Sequence, residues 1–280
     1  MAERNQQIMN ETNTSIAINP VAPYLGGKRL LAKTIVPIIE AVPHKNYVEP
    51  FVGMGGVFFR RTKRTKCEVI NDISKDIANL FRILQRHYPQ FLDTLKYQLS
   101  SRAEFERLKA TDPTTLTDLE RAARFIYLQK TAFGGKSVSQ SFGVKLDTSR
   151  FNLHKLAGQL EDVHDRLSHV TIECLPFDKC ITRYDRDETL FYLDPPYWNC
   201  ENDYGKGLFS KPDFERLAQQ LGTINGRFLM SINDAPEIRF IFERFSIKPV
   251  KTRYTAGTQS GKEVGELLIS NFEVIKRAGR

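Results

Sequence analysis

Short apolar segments alternate with amphipathic segments along most of the chain, and this alternation limits the folds that the chain can adopt. Five apolar runs have the length of buried strands: KNYVEPFVG, CEVIND, HVTIECL, TLFYLD and RFLMSIN. Between the second and third runs, Ile77, Leu80, Phe81 and Leu84 recur at helical spacing behind the predicted N-cap Ser74. Short strands that alternate with helices predict an α/β fold with a mainly parallel sheet.

The two ends of the chain and a central segment depart from this alternation. The segment SIKPVKTRYTAGTQSGKEVGELLISNF contains two strand-like runs around a Gly/Ser turn, which predicts an antiparallel hairpin that closes the sheet. Residues 100–165 contain helical patterns and a glycine, serine and lysine loop. We therefore predict one sheet domain, formed by 21–99 and 166–280, with a mostly helical insertion at 100–165. The Asn/Thr/Gln-rich residues 1–20 are expected to form a disordered tail.

Charge and cysteine content narrow the class of protein. The chain has 280 residues and a formal net charge of +8, which favours an anionic partner, nucleic acid before a membrane surface. No apolar stretch approaches the roughly 20 residues of a membrane span, and the N-terminus has no signal-peptide hydrophobic region. Cys67, Cys174, Cys180 and Cys200 form no CxxC pair and show no zinc-ligand spacing. We expect no metal, no membrane association and a reducing cytoplasm.

Three predicted strand ends carry residues that suit ligand binding, because ligands of open α/β sheets lie beyond the carboxyl ends of the strands. These are Glu49 with the glycine-rich stretch from Phe51 to Gly56, Asp72, and Asp194 with the residues that follow it. The glycines allow the backbone to approach a ligand closely, and an acid after the second strand suits ribose hydroxyls. Taken alone, the loop matches neither GxxxxGK[ST] nor GxGxxG, and Asp72 would equally serve as a turn acid.

The stretch LDPPYW, residues 193–198, ends its strand abruptly, because two prolines supply no N–H to a sheet. Its residue types suit a reaction on an exocyclic amine whose lone pair is delocalised into an aromatic ring. The Asp194 carboxylate and the Pro195 carbonyl could each accept one N–H and free the lone pair for attack, while the Tyr197 ring stacks on the base. A plain turn after a strand explains the tetrapeptide equally well when it is taken by itself.

Several motifs in a fixed order resemble the Dam-type, D12-class DNA adenine-N6 methyltransferases, which depend on S-adenosylmethionine, over residues 21 to 272. PYLGGKRLL resembles the N-terminal cofactor motif, VEPFVGMGGVFF the glycine-rich motif and NDIS the ribose-binding acid. LPFD is similar to the cofactor-adenine motif, LDPPYW to the catalytic motif, and FLMSIND with VGELLISN to the closing strands. The resemblance implies a Rossmann-like class I methyltransferase fold, with the target-recognition domain inserted before DPPY.

The resemblance also implies roles for individual residues. It places Asp194, Pro195 and Tyr197 in catalysis of methyl transfer to N6 of an adenine flipped out of double-stranded DNA. The implied contacts of S-adenosylmethionine are made by seven residues: Tyr24, Lys28, Phe51, Gly53, Asp72, Asp178 and Asp194. Without the motif around them, Tyr24 and Lys28 would be interpreted as an interface aromatic and a solvated lysine.

The insertion is where the chain departs from the family. FIYLQKTAFGGKSVSQSFGVKL is similar at its start and at its FGV end to the DNA-reading hairpin, but its middle is shorter and lacks the arginine and proline-flanked core. Arginine is the commonest specific reader of guanine, so GATC specificity is not expected from this segment. The predicted DNA contacts are four residues: Lys130, Lys136, Ser139 and Gln140. The basic run from Arg60 to Lys66 is interpreted first as a solvated face and second as a phosphate-binding face.

Alternative functions stay open at the sequence level. The same motif chemistry suits adenine in RNA, N4 of cytosine in DNA or a glutamine amide in protein, and a non-catalytic DNA-binding protein with this fold is the rival from another class. We expect a monomer in a bacterial or phage-infected cytoplasm. A separate restriction endonuclease that acts on the same DNA site is a partner the sequence leaves open.

Overall fold

A single mixed sheet runs through the structure, a computed structural model that describes residues 14–24, 28–98, 100–133, 140–143, 151–201, 205, 207–253 and 263–274. Within these ranges the strand order is β3-β2-β1-β4-β5-β7-β6. The strands are β1 (Asn46–Glu49), β2 (Cys67–Asn71), β3 (Val170–Glu173), β4 (Thr189–Leu193), β5 (Arg227–Asn233), β6 (Ser246–Arg253) and β7 (Glu263–Ser270). β1 to β5 pair in parallel, and β7 lies antiparallel to both β5 and β6. The predicted α/β fold with an antiparallel C-terminal hairpin is confirmed.

Helices cover both faces of this sheet, which is why its central strands are largely buried and rich in apolar residues. All five residues of β4 are buried, and β1 pairs with β2 on one side and β4 on the other. The helices are α1 (Ala32–Ala41), α2 (Lys75–Arg86), α3 (Tyr88–Leu95), α4 (Arg102–Ala110), α5 (Asp118–Thr131), α6 (Leu153–Leu167), α7 (Phe177–Tyr184), α8 (Lys211–Leu221) and α9 (Pro236–Ile241). One core cluster packs α1 to α6 on one face, and a second packs α7 to α9 on the other.

Helix boundaries follow the predicted signals in part. Ser210 begins α8 with a capping box to Asp213, as its position before Pro212 predicts. Ser74 precedes α2, but its side chain makes no cap bond; instead its N–H donates to Oδ1 of Asp72 at 2.9 Å. The first helix, α1, contains Pro37 and continues past it to Ala41.

The helices of the predicted insertion pack against the sheet domain at α2. Asn79 on α2 donates to the Asp118 carbonyl at 2.8 Å, and Arg121 pairs with Asp76 at 2.5 Å. Residues 14–20, which the sequence assigns to the tail, also contact the domain, since the Ile18 N–H donates to the Phe59 carbonyl at 2.8 Å. Residues 1–13 lie outside the described residues, and the division into domains stays a prediction.

A buried charge cluster joins β2 to the loop before it and to α6. The Glu68 carboxylate accepts from Arg61 at 2.8 Å and from Arg166 at 2.6 and 3.0 Å. Both arginines are almost fully buried, and each guanidinium also lies over an aromatic ring, Tyr47 or Phe58. Arg61 therefore does not belong to a solvated basic face, and the first interpretation of the Arg60–Lys66 run is wrong at that position.

Replacing Glu68 with Gln leaves two buried guanidinium groups without their counter-charge. We expect the free energy of unfolding to fall by about 3–5 kcal/mol, because breaking a buried pair costs far more than the pair contributes. Urea denaturation followed by circular dichroism measures this loss. The exposed pair of Glu104 and Arg107 provides the control, since Glu104→Gln is expected to cost less than about 1 kcal/mol. Equal losses of unfolding free energy in the two variants would contradict the role of Glu68 as the buried counter-charge of Arg61 and Arg166.

Candidate active site

A cavity of about 800 Å³ opens at the carboxyl ends of β1, β2 and β4. The strand order reverses between β1 and β4, and ligands of open α/β sheets bind at such a switch point. All seven residues predicted to contact a cofactor line this cavity: Tyr24, Lys28, Phe51, Gly53, Asp72, Asp178 and Asp194. The structure thus brings together residues from five separate segments of the chain.

The glycine-rich loop after β1 is held against the acid that ends β2. Gly53 adopts a φ of +52°, and its N–H donates to Oδ2 of Asp72 at 2.9 Å. A Cβ at Gly53 would lie 3.2 Å from the Tyr24 ring, so a larger residue would crowd the cavity wall. Burial raises the pKa of Asp72 to about 6, against the two backbone N–H groups of Ser74 and Gly53 that favour its carboxylate form.

Asn71, which sequence reasoning did not single out, ties three strand-end loops together. Its Nδ2 donates to the carbonyls of Pro50 at 2.9 Å and Leu175 at 3.0 Å, while its Oδ1 accepts the Leu175 N–H at 2.8 Å. The signal was available, because Asn71 is a polar residue at the end of β2, directly before Asp72. It fixes the loops after β1 and β3 relative to Asp72.

Aromatic rings form one wall of the cavity. The ring centroids of Phe51, Phe177 and Phe209 lie 5.6 to 5.9 Å from one another. Asp178 lies in the first turn of α7 beside this wall and forms an ion pair with Arg216 at 3.7 Å. Flat apolar walls with a few polar groups suit a heteroaromatic ring. Phe209 was missed by sequence reasoning, whereas Phe177 lies within the LPFD motif.

The end of β4 forms the charged part of the site. Lys28 Nζ lies 2.7 Å from Oδ1 of Asp194 and donates to the Tyr197 hydroxyl at 2.6 Å. Ser231 on β5 donates to the same Oδ1 at 3.4 Å. Asp194 and Pro196 line the cavity, while Pro195 is buried and the Tyr197 hydroxyl is turned toward Lys28.

Burial and charge set the protonation of this cluster. Burial raises the pKa of Asp194 to about 6, although the Lys28 ammonium favours its carboxylate. Burial disfavours the Lys28 ammonium, but the carboxylates of Asp194 and Glu266 outweigh it and raise the pKa of Lys28. Burial also raises the pKa of Glu49 to about 8, with Tyr47 donating to Oε1 at 2.7 Å. Glu49 is therefore mainly uncharged at neutral pH.

The loop after Asp194 is held by β5. The Trp198 N–H donates to Oδ1 of Asn233 at 2.9 Å, and Asn233 Nδ2 donates back to the Trp198 carbonyl at 3.3 Å. Asn199 takes a φ of +67°, a conformation that asparagine tolerates better than most residues. The two contacts from one amide side chain leave this loop little freedom.

The predicted DNA contacts lie partly inside the described residues. Lys130 lines the cavity, donates to Oε1 of Gln159 at 3.3 Å, and has its pKa lowered by burial. Gln140 is buried and donates to Gln129 at 2.8 Å, and Gln129 in turn donates to the Pro23 carbonyl at 3.0 Å. Lys136 and Ser139 lie outside the described residues. All four DNA contacts stay predictions.

The described ranges hold no group of three or more His, Cys, Asp or Glu residues that could bind a metal ion. None of the helices in the same ranges has the length and apolarity to cross a membrane.

Comparison with known proteins gives one family. Its sequence model, described as D12 class N6 adenine-specific DNA methyltransferase, matches residues 24–256. The type II methyltransferase M.CviBI of Paramecium bursaria Chlorella virus NC1A is 24% identical, over 92% of this chain and 99% of its own length. M1.LlaDCHI of Lactococcus lactis subsp. cremoris is 23% identical over 92% and 96% of the two chains. A DNA adenine methylase of Haemophilus influenzae is 26% identical over 88% and 90%. Because the match spans most of the sequence, from the Tyr24 motif to beyond DPPY, this chain belongs to the D12 class of N6 adenine-specific DNA methyltransferases.

Proposed function

We propose that this methyltransferase acts on an adenine flipped out of double-stranded DNA, and that Asp194 holds the N6 amine. Family membership establishes the reaction class, transfer of a methyl group from S-adenosylmethionine to N6 of adenine in DNA. The observation that carries the proposal is the common cavity, which Asp194 shares with Gly53 and Asp72. The alternatives on RNA, cytosine or protein amides, and a non-catalytic role, lose their basis once the family is known.

The residues of the cavity fit S-adenosylmethionine. A loop whose glycines lack Cβ atoms, an acid whose oxygens retain lone pairs and a wall of three aromatic rings match its amino acid, ribose and adenine parts. We assign Asp72 to the ribose hydroxyls and the Phe51 and Phe177 rings to the adenine. The volume of about 800 Å³ lies in the upper part of the roughly 300–1,000 Å³ range of ligand sites. A cavity of this volume also has room for a target base.

Asp194 supplies an oxygen acceptor for the target amine. When bound, S-adenosylmethionine supplies an electrophilic methyl group on a positively charged sulfur. Oδ1 of Asp194 is engaged by Lys28 and Ser231, so we assign Oδ2 to one N–H of the amine. The carbonyl of Pro195 is assigned to the second N–H, and the two acceptors free the nitrogen lone pair. A carboxylate with a pKa of about 6 can then accept the proton that the methylated nitrogen releases.

Double-stranded DNA is the substrate that the charge distribution supports. Arg29, Arg60 and Lys130 line the cavity together with Asp194, and the chain carries a net charge of +8. Cations around the cavity suit the phosphates that flank a flipped nucleotide. Flipping costs a few kcal/mol of stacking and pairing, which contacts to these phosphates and to the base can offset. Tyr197 is assigned to the face of the flipped base.

The names of similar proteins support a biological setting for this enzyme. M.CviBI and M1.LlaDCHI are both called type II methyltransferases, which supports a separate restriction endonuclease that acts on the same DNA site. We retain a monomer in a bacterial or phage-infected cytoplasm as part of the proposal. Methylation-sensitive sequencing of DNA from cells that express the protein would give the target sequence.

Replacing Asp194 with Asn removes the acceptor for the amine and the site for its proton. We expect tritiated methyl transfer to unmethylated double-stranded DNA to fall by roughly 10²–10⁴-fold, the range of a positioned acid or base. Asp93→Asn, an exposed acid on α3, is the matched control and is expected to keep wild-type activity. Full activity in the Asp194 variant, or no transfer by the wild type, would refute the proposal.

Replacing Asp72 with Asn puts an amide donor against the backbone N–H of Gly53 or Ser74. We expect the affinity for S-adenosylmethionine to fall by roughly 10- to 100-fold, as for a buried donor that loses its acceptor. Isothermal calorimetry measures the change, and kcat at saturating cofactor is expected to change less than affinity. An unchanged dissociation constant would exclude Asp72 from the cofactor site.

A further inference from the structure

Glu266 on β7 is a buried carboxylate that contacts the loop after Asp194. It lies within VGELLISN, which the sequence marks only as a closing strand. The residue is 3% exposed, and its Oε1 accepts the Tyr197 hydroxyl at 2.5 Å. Its Oε2 has no hydrogen-bond partner among the described residues and lies 4.0 Å from Nζ of Lys28. A buried carboxylate oxygen without a hydrogen bond destabilises the folded protein. Its presence beside the candidate active site therefore indicates a function for Glu266.

Glu266 is one end of a directional chain of contacts. Lys28 donates to both Asp194 and the Tyr197 hydroxyl, and that hydroxyl donates to Glu266. Every link fixes which group carries a proton: the ammonium has donors only, and the hydroxyl uses its single proton on Glu266. The position of the Lys28 ammonium against Asp194 therefore depends on Glu266 through Tyr197.

The sheet register places Glu266 where it can hold the loop together with a neighbouring strand. Glu266 lies directly opposite Asn233 in the β5–β7 ladder. Asn233 binds the backbone of Trp198, and Glu266 binds the side chain of Tyr197. Asn233 and Glu266, which are paired across the two strands, thus hold Trp198 and Tyr197, two consecutive residues of the loop.

The charges around Lys28 do not cancel. Its ammonium lies beside two carboxylates, Asp194 at 2.7 Å and Glu266 at 4.0 Å. The nearby Glu49 is mainly uncharged at neutral pH, because burial raises its pKa to about 8. The cluster of Lys28, Asp194 and Glu266 therefore carries one net negative charge in a largely buried setting, where charge is weakly screened.

We propose that Glu266 is a positioning residue of the methyl-transfer site, which orients Tyr197 and Lys28 and supplies the net negative charge that favours a sulfonium cation. This inference rests on the proposed function, in which Asp194 faces the methyl donor. It gives the antiparallel strand β7 a part in the reaction besides closing the sheet.

Glu266→Gln keeps the shape and an acceptor for Tyr197 but removes the charge. S-adenosylmethionine carries the sulfonium charge and S-adenosylhomocysteine lacks it, so calorimetry with both ligands isolates the electrostatic part. We expect the preference for the cation, the ratio of the two dissociation constants, to fall on the order of tenfold. A ratio within twofold of that of the wild type would overturn the proposal.

Glu266→Asp is the complementary variant, because it keeps the charge and shortens the reach to Tyr197. It is expected to retain the ratio of dissociation constants while kcat for DNA methylation falls. Glu273→Gln, an exposed acid just beyond β7, is the control and is expected to change neither quantity. If the Asp variant lost the ratio as fully as the Gln variant, charge would not be the cause and the proposal would fail.

The pH profile gives a readout that a merely structural role would not move. Asp194 is surrounded by five groups that are charged, titratable or hydrogen-bonding: Lys28, Glu266, Tyr192, Glu49 and Ser231. The Glu266 charge raises the pKa of Asp194, so its removal lowers that pKa. The fall of kcat/KM below about pH 6 is therefore expected to move to lower pH in Glu266→Gln. An unmoved acidic limb would overturn the inference.

Failure of this inference can be distinguished from failure of the proposed function. A wild type that transfers no methyl group to DNA would refute the proposed function, whereas the two-ligand calorimetry would still decide the role of Glu266. An active wild type with an unchanged Glu266→Gln variant would refute the inference alone.

Discussion

Parallel pairing of β1 with both β2 and β4 is the constraint on which the rest of the site depends. It places three carboxyl ends side by side at the switch point of the sheet, where backbone N–H groups and loop side chains are left for a ligand. The glycine loop, Asp72 and Asp194 meet there although they come from distant segments. Asn71 then holds the loops after β1 and β3 beside Asp72 through two carbonyls and one N–H.

Buried charge is the second organising element, and it is used in two ways. Around Glu68 the charges serve stability, since one carboxylate is shared by two arginines that also lie on aromatic rings. Around Lys28 two carboxylates share one ammonium, and the imbalance lies at the cavity where a cationic ligand is expected. Buried charged residues thus stabilise the region around Glu68 and prepare the region around Lys28 for binding. The difference lies in the charge balance: two cations share one carboxylate at Glu68, whereas two carboxylates share one cation at Lys28.

The predicted helical insertion is connected to the candidate active site through side-chain amides as well as through packing. Gln140, predicted as a DNA contact, donates to Gln129 on α5, which donates to the carbonyl of Pro23 next to Tyr24. The segment predicted to read DNA is therefore linked to the segment that begins the cofactor motif. Lys130 on the same helix reaches the cavity itself. These contacts offer a physical route by which the two parts of the protein keep a fixed relation.

The sequence by itself determined the fold class, the hairpin at the C-terminus and the segments that form the cavity, because periodicity, glycine and proline act locally. It also predicted Asp194 and Lys28 as site residues, since each lies in a motif with a known order, and both line the cavity. It did not place Glu266 or Asn71 in the site, nor Arg61 in the core. Lys28 and Tyr197 are 169 positions apart, and only the tertiary structure decided that they touch. Burial and net charge are properties of such long-range neighbours, and no local pattern in the sequence encodes them.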